Sequence, residues 1–309
     1  MKPEYAIIVK NKTRLEALTE RFNTRAQARF YIERSGGDFA GYEAEHETFH
    51  QALALLQSQL SGVIRHKIVE RHFLPSYIFS EKNLIVVIGQ DGLVANTAKY
   101  SRGLPIVAVN PDPARYDGVL LPFTAADFLG GVEQVLRNQY RARNARFAEA
   151  RLHDGQRLLA FNDLFIGAAT HVSARYGITY KDKTEEHSSS GIIVSTKAGA
   201  TGWLSSVFNM AGGLSSLFGG SKKLKPPTLA NHELLFAVRE PYVSVRTQGA
   251  IVAGILRGNT RLALQSFMPA NGVIFSDGIE NDFLPFNSGA VASIGLAEER
   301  AVLVEKGEG

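Results

Sequence analysis

Leu84-Ile85-Val86-Val87-Ile88-Gly89-Gln90-Asp91-Gly92 is the stretch that decides the fold of this 309-residue chain. Five consecutive aliphatic residues, four of them β-branched, suit a strand buried on both faces of a parallel sheet. The Gly-x-Asp-Gly turn ends that strand and opens a helix to about Tyr100, after which a second apolar run, Ile106–Val109, supplies another buried strand. Strand, turn, helix and strand in close succession predict a βαβ unit with a right-handed crossover.

Upstream, Tyr5–Val9 reads as a strand. Thr24–Arg34 reads as a helix capped by Asn23 or Thr24 and ended by Gly36-Gly37. A longer helix over about Tyr42–Leu60 carries an apolar stripe at Tyr42, Phe49, Leu53, Leu56 and Leu60. After Pro122 a helical stretch is expected over Thr124–Arg151. Beyond it short strand-like runs take over: Leu234–Val238, Ala250–Leu256, Leu262–Phe267, Val273–Phe275, Val291–Ile294 and Val302–Val304. Gly258-Asn259, Asn271-Gly272 and Asn287-Ser288-Gly289 are turn signals between them. Ser215–Thr228, with Gly219-Gly220 and Pro226-Pro227, reads as a loop. The expected fold is an N-terminal α/β domain with a parallel Rossmann-like sheet (residues 1–148) and a C-terminal β-sandwich-like domain (residues 149–309).

Composition narrows the chemistry. With no cysteine, disulfide scaffolds, thiolate-bound zinc, iron–sulfur clusters and thiol nucleophiles are excluded. The formal net charge is +4, and all of it sits between Arg137 and Arg157, where six arginines face Glu149 and Asp154. The remainder is neutral, so no nucleic-acid coat is expected, and the arginines are taken as a solvated helix face. No apolar run approaches the ~18–20 residues of a membrane span, and the N-terminal residues lack a signal-peptide core. A cytoplasmic protein is the expectation.

Three local patterns carry candidate chemistry. Gly89-Gln90-Asp91-Gly92 lies at the carboxyl end of a buried strand, where open α/β sheets bind ligands and a helix N-terminus offers N–H groups to phosphate. Asp91 would repel phosphate, so its role there would be to bind Mg²⁺ or take a proton from an attacking hydroxyl; an acidic helix cap is the plainer alternative. Ser188-Ser189-Ser190-Gly191-Ile192-Ile193-Val194-Ser195-Thr196-Lys197-Ala198-Gly199-Ala200-Thr201-Gly202-Trp203 runs from a hydroxyl-rich turn through a strand to the only tryptophan. It reads either as a nucleotide site or as a turn beside a core indole. Asn162-Asp163 precedes the apolar Leu164-Phe165-Ile166 and could grip a ribose diol or simply open a strand with an Asx turn. Neither G-x-x-x-x-G-K-[ST] nor G-x-G-x-x-G occurs, and G-x-S-x-G is absent. A rival signal is His46-Glu47-Thr48-Phe49-His50, which matches the zinc-protease pattern H-E-x-x-H, with Glu70 downstream as a possible third ligand. Helix-edge histidines account for it, and no metal ligand is assigned.

Taken in order, the three patterns resemble the NAD kinase family, in which a G-G-D-G turn, an N-E pair and a T-x-x-G-[ST]-x-A-[YW] segment follow one another. The likeness is greatest to the mitochondrial branch. It extends through Val109-Asn110-Pro111-Asp112-Pro113-Ala114-Arg115, Ser189-Ser190-Gly191, Val238-Arg239-Glu240-Pro241, Ser276-Asp277-Gly278 and Phe286-Asn287-Ser288-Gly289. The resemblance implies ATP-dependent, Mg²⁺-assisted phosphorylation of the 2′-hydroxyl of the adenosine ribose of NAD, at a site between the two domains. It implies that Asp91 accepts the proton, that Gly89 and Gly92 face phosphate, and that Asn162 and Asp163 hold ribose hydroxyls. Thr196, Gly199, Thr201 and Trp203 would shape the base pockets. A homodimer or homotetramer is implied, with no nucleic acid and no membrane as partner. The sequence departs from the pattern at Gln90 (glycine), Asp163 (glutamate), Ala200 (a hydroxyl residue) and Thr201-Gly202 (Lys-Ala in the branch). If residue 90 needed a positive φ, its side chain would cost ~1–2 kcal/mol. The alternatives are a silent NAD/NADP-binding protein and a kinase of the same superfamily with another hydroxyl acceptor.

Overall fold

The computed structural model describes residues 3–220 and 224–307. The chain divides into two compact units, Met1–Asn144 with Ala301–Gly309, and Ala145–Arg300.

The first unit is built on a parallel sheet of β1 (Tyr5–Lys10), β2 (Arg65–Glu70), β3 (Asn83–Ile88) and β4 (Pro105–Asn110), in the order β2-β1-β3-β4. Every residue of β3 is buried, as the apolar run Leu84–Ile88 requires. The two-residue β5 (Phe123–Thr124) pairs with β4. Among the described residues five α-helices accompany the sheet: α1 (Arg14–Phe22), α2 (Arg25–Arg34), α3 (Phe39–Ser61), α4 (Asp91–Tyr100) and α5 (Phe128–Leu136). The stripe of α3, with Phe49, Leu53, Leu56 and Leu60, packs with Ala6, Ile8, Val86 and Val107 of the sheet and Phe128 and Val132 of α5 in one core. Helix α1 begins with a complete capping box, Thr13 and Glu16. That signal was readable as T-x-x-E but lay hidden in an arginine-rich segment.

The second unit is a sandwich of antiparallel strands. They are β6 (Ala142–Leu152), β7 (Arg157–Ala160), β8 (Asp163–Ala168), β9 (Ala174–Tyr180), β10 (Lys183–Ser189), β11 (Ile192–Ser195), β12 (Glu233–Val238), β13 (Ala253–Arg257), β14 (Leu262–Ser266), β15 (Gly272–Ser276), β16 (Ile279–Pro285) and β17 (Val291–Val304). One sheet runs β13-β12-β11-β8-β15-β16, and a second layer contains β10-β9-β14-β17 with the β6–β7 hairpin joined to β17. Ile166, Val194, Phe236 and Ile274 of the first sheet share a core with Tyr176, Ile178, Leu264 and Ala292 of the second. Helix α6 (Trp203–Leu217) follows β11.

Four expectations are corrected. The helical stretch over Thr124–Arg151 is only α5; from Ala142 the chain is strand β6, paired with β7 in the register Ala148↔Ala160 and Arg151↔Arg157. Its Ala, Arg and Glu residues favour helix intrinsically, but tertiary pairing overrides propensity. The arginines there are not a helix face: Arg151 and Arg157, with Arg261, surround Glu149, which is 3 % exposed. Val291–Ile294 and Val302–Val304 are one strand rather than two, and its last residues, Val302 and Leu303, pair in parallel with Pro105 and Ile106, so contacts assign Ala301 onward to the first unit. The loop expected over Ser215–Thr228 starts later, because α6 runs to Leu217; residues 221–223 lie outside the described residues.

Candidate functional site

In the first unit, β3 passes through Gly89 into α4. A Cβ on Gly89 would sit 2.9 Å from Cδ2 of Leu93, so the absence of a side chain lets the helix start directly above the strand. Gln90 is exposed and extended, with φ −108° and ψ 166°. A side chain at this position therefore carries no backbone strain. The penalty tied to a positive φ does not arise. Gln90 makes no side-chain capping bond, so the first N–H groups of α4 are not covered by a cap. Asp91 is the first residue of the helix, and its Oδ1 accepts the Leu120 N–H at 2.7 Å, which orients the carboxylate and leaves Oδ2 for other work. A Cβ on Gly92 would meet nothing within 4 Å, so the space over the helix start is open.

In the second unit the structure brings Asn162, Asp163, Thr196 and Gly199 together. The Thr196 N–H donates to Asn162 O at 2.9 Å, and its hydroxyl donates to Phe161 O at 2.6 Å. The same hydroxyl accepts the N–H groups of Ala198 and Gly199 at 3.1 and 3.3 Å. A Cβ on Gly199 would lie 2.3 Å from Asn162 O and 2.7 Å from Asp163 Oδ1, so only glycine permits this approach. Asp163 pairs with Ser195 across β8 and β11. Its Oδ1 is buried without a hydrogen-bond partner. Burial pushes the Asp163 carboxyl up to about 7; the Ser195 hydroxyl pulls it down, and the nearby Asp277 carboxylate raises it.

Asp277 is the residue that local sequence reading missed. Its carboxylate accepts the N–H groups of Phe161, Asn162 and Asp163 at 3.0, 2.6 and 3.2 Å, while its own N–H donates to Asp163 O at 2.9 Å. Three amides on one charged acceptor fix the Asn162-Asp163 turn from below. The available signal was Ser276-Asp277-Gly278, a tight turn in which Asp277 takes a positive φ of 55°.

Thr201 ends a short 3₁₀ turn, Gly199–Thr201, and is exposed. Trp203 opens α6, half-buried, stacked on Phe165 with 5.5 Å between ring centroids, and with the Arg239 guanidinium 5.4 Å from the indole. Gly89, Asp91 and Gly92 belong to the first unit and the other expected site residues to the second. No helix among the described residues is long and apolar enough to cross a membrane.

Comparison with known proteins gives a consistent set of relatives. No protein-family model matches the chain. An NAD kinase of Heliobacterium modesticaldum is 32% identical over 132 residues, covering 39% of this chain and 44% of that protein. An NAD kinase of Chlorobium phaeobacteroides is 27% identical over 126 residues, covering 39% and 43%. The chain thus spans less than half the length of the curated relatives it matches. Among solved structures, yeast NADH kinase complexed with NADH aligns with a TM-score of 0.60 at 13% identity, covering 99% of this chain and 85% of that one. An NAD kinase from Archaeoglobus fulgidus in complex with ATP aligns with a TM-score of 0.55 at 14% identity, covering 97% and 93%. At these identities the structural matches establish the shared fold.

Proposed function

From a chain that is related to the NAD kinases in sequence and shares their fold, we propose an NAD kinase-like phosphotransferase that uses ATP to convert NAD to NADP. The observation that carries this reading is Asp163: a buried carboxylate with an unpartnered oxygen, in a turn fixed by Asp277 and closed by Gly199. Such a group is built to accept hydroxyl donors, and a ribose diol presents two of them. Asn162 beside it adds amide donors and an acceptor.

Asp91 is the proton acceptor. The ribose 2′-oxygen bonds to the γ-phosphorus of ATP, the bond from that phosphorus to the β–γ bridging oxygen breaks, and ADP leaves. The 2′-hydroxyl proton passes to Asp91 Oδ2, the oxygen not held by Leu120, and from there to solvent. The transition state of phosphoryl transfer is loose, so positioning dominates and the proton moves late. Gly89 and Gly92 leave the start of α4 open to phosphate, and the uncapped N–H groups there are suited to it. Mg²⁺ would be held chiefly by the phosphate oxygens of ATP and would neutralise charge on the transferred group, which leaves Asp91 Oδ2 free for the proton. Thr196, Gly199, Thr201 and Trp203 contour the nucleotide site. The likeness of the sequence motifs to the mitochondrial branch of NAD kinases belongs to the same reading. So does a homo-oligomer, supported by the exposed Leu214, Leu217 and Phe218 at the end of α6; sedimentation velocity tests it.

The test is formation of NADP from NAD, ATP and Mg²⁺ by the purified chain. Turnover in the wild type and its loss in Asp91→Asn are expected. Absence of turnover with every nucleotide donor, and with both NAD and NADH, would overturn the enzyme assignment.

A further inference from the structure

The H-E-x-x-H segment is not absorbed by the phosphotransferase reading, and the structure changes its meaning. His46 and His50 lie one turn apart on α3, as the i, i+4 spacing requires, with ring centroids 4.3 Å apart. The acidic residue that meets them is not Glu70, the partner expected from the sequence. Glu70 is tied to Lys10 at 3.3 Å and lies 3.4 Å from His72. It is Glu16, from the first turn of α1, whose Oε1 lies 3.0 Å from Nε2 of His50. One ligand atom each from Glu16, His46 and His50 can be chosen so that all three lie within 4.8 Å of one another.

Two further observations separate this cluster from a chance meeting of polar side chains. The Glu16 carboxylate is held by the chain itself: its Oε2 accepts the Thr13 N–H at 2.7 Å in the capping box, so Oε1 is presented whether or not His50 is charged. The Thr13 hydroxyl lies 2.9 Å from Nδ1 of His46 and accepts the Glu16 N–H at 3.2 Å, so one residue fixes both the carboxylate and one imidazole. Ligand orientation by such outer partners is the usual support of a metal centre. All three side chains are half-buried, and a groove of about 650 Å³ lined by Glu16, His46, Thr19 and Glu70 gives an ion a way in. The cations lining that groove have acidic partners: Lys12 with Glu20 at 2.6 Å and Arg25 with Glu43 at 2.5 Å.

We propose that Glu16, His46 and His50 bind one divalent transition-metal ion of the zinc class, which joins α1 to α3, with water completing the coordination. Two imidazoles and one carboxylate are a donor set zinc accepts, and imidazole also suits copper and nickel. In a tetrahedral site the ligand atoms stand roughly 3.3 Å apart, so closure needs side-chain movements of about 1 Å from the present positions. The ion acts as a clamp between helices and takes no part in phosphoryl transfer, so this inference stands apart from the proposed activity.

The experiment is a Zn²⁺ titration of the chelator-stripped full chain by calorimetry and thermal melting, with Co²⁺ as a spectroscopic probe. One equivalent of Zn²⁺ is expected to bind and raise the melting temperature, and Co²⁺ is expected to give the intense visible bands of four-coordination. His50→Ala and Glu16→Gln should each weaken binding by at least about tenfold and abolish the melting shift. Glutamine at position 16 can still accept the Thr13 N–H, so α1 keeps its cap and loss of zinc in Glu16→Gln reports the ligand rather than the fold. The exposed His171→Ala should titrate as wild type. No saturable zinc binding, or equal affinity in wild type and Glu16→Gln, would overturn the site.

Discussion

The turn at Gly89–Gly92 and the turn at Phe161–Asp163 are both candidates for gripping a nucleotide, and they are made in opposite ways. The first is open. Gln90 is exposed, Gly92 has empty space where a side chain would be, and one hydrogen bond from Leu120 sets the Asp91 carboxylate. The second is over-determined, with three amides on Asp277, the Thr196 hydroxyl bonded to three backbone groups, and Gly199 in a space no other residue fits. A region that receives a migrating, strongly charged group needs room and free N–H donors. A region that selects a ligand by its hydroxyls needs fixed geometry before the ligand arrives. Tolerance to substitution should therefore differ sharply between the two.

Substitutions can break that comparison, the largest effect first. Asp91→Asn should lower NADP formation by about 10²–10⁴-fold while the melting curve stays near wild type, because the change touches a proton acceptor in an open turn. Asp163→Asn tests the closed turn through pH. The folded carboxyl titrates at about 7, above its ordinary value of 3.8. Between those limits the unfolded chain is ionised and the folded one protonated, so wild-type stability falls as pH rises from about 4 to about 7 and then levels. The loss is on the order of 4 kcal/mol relative to Asp163→Asn, whose stability should lack this slope in urea titrations across the same range. NAD affinity should rise through pH 7, as the ionised carboxylate becomes the better acceptor for ribose hydroxyls. Gly199→Ala, with its Cβ against Asn162 O, should cost about 2–3 kcal/mol in denaturant unfolding and weaken NAD binding in calorimetry. Gln90→Gly sharpens the comparison from the other side. Because residue 90 is already extended, the change should leave kcat within about twofold and cost only ~0.5–1 kcal/mol of chain entropy. A large gain in kcat would show that the Gln90 side chain obstructs the open turn.

How much was legible followed the range of the interactions. The βαβ unit could be read because β3 is an unbroken apolar run ending in glycine, and α3 because its stripe keeps helical period. Strand β6 could not. Its buried run Phe147-Ala148-Glu149-Ala150 holds two alanines and a glutamate and does not alternate, and Glu149 is made tolerable there by arginines, two of them, Arg157 and Arg261, from other segments. Asn162, Asp163, Thr196 and Gly199 announced themselves as motifs, but the Asn162-Asp163 turn on which they meet is fixed by Asp277, more than a hundred residues further along the chain from that turn. Similarly, the H-E-x-x-H pair was visible while its acidic partner was not. Proximity in sequence says nothing about whether Glu16 or Glu70 faces the same side of α3.

Strand β17 begins among the partners of β14 and ends beside β4. Val304 then lies in the same apolar core as α3 and α5, and Lys306 reaches Asp127 at 2.5 Å. The first unit is therefore closed by residues that leave the ribosome only after the whole of the second has been made. Until then β4 lacks its neighbour at Pro105 and Ile106, a vulnerability of the unit that is made first. Residues 1–144 expressed alone should share that vulnerability, and supplying residues 301–307 as a peptide is the direct way to ask whether closing the edge completes the fold.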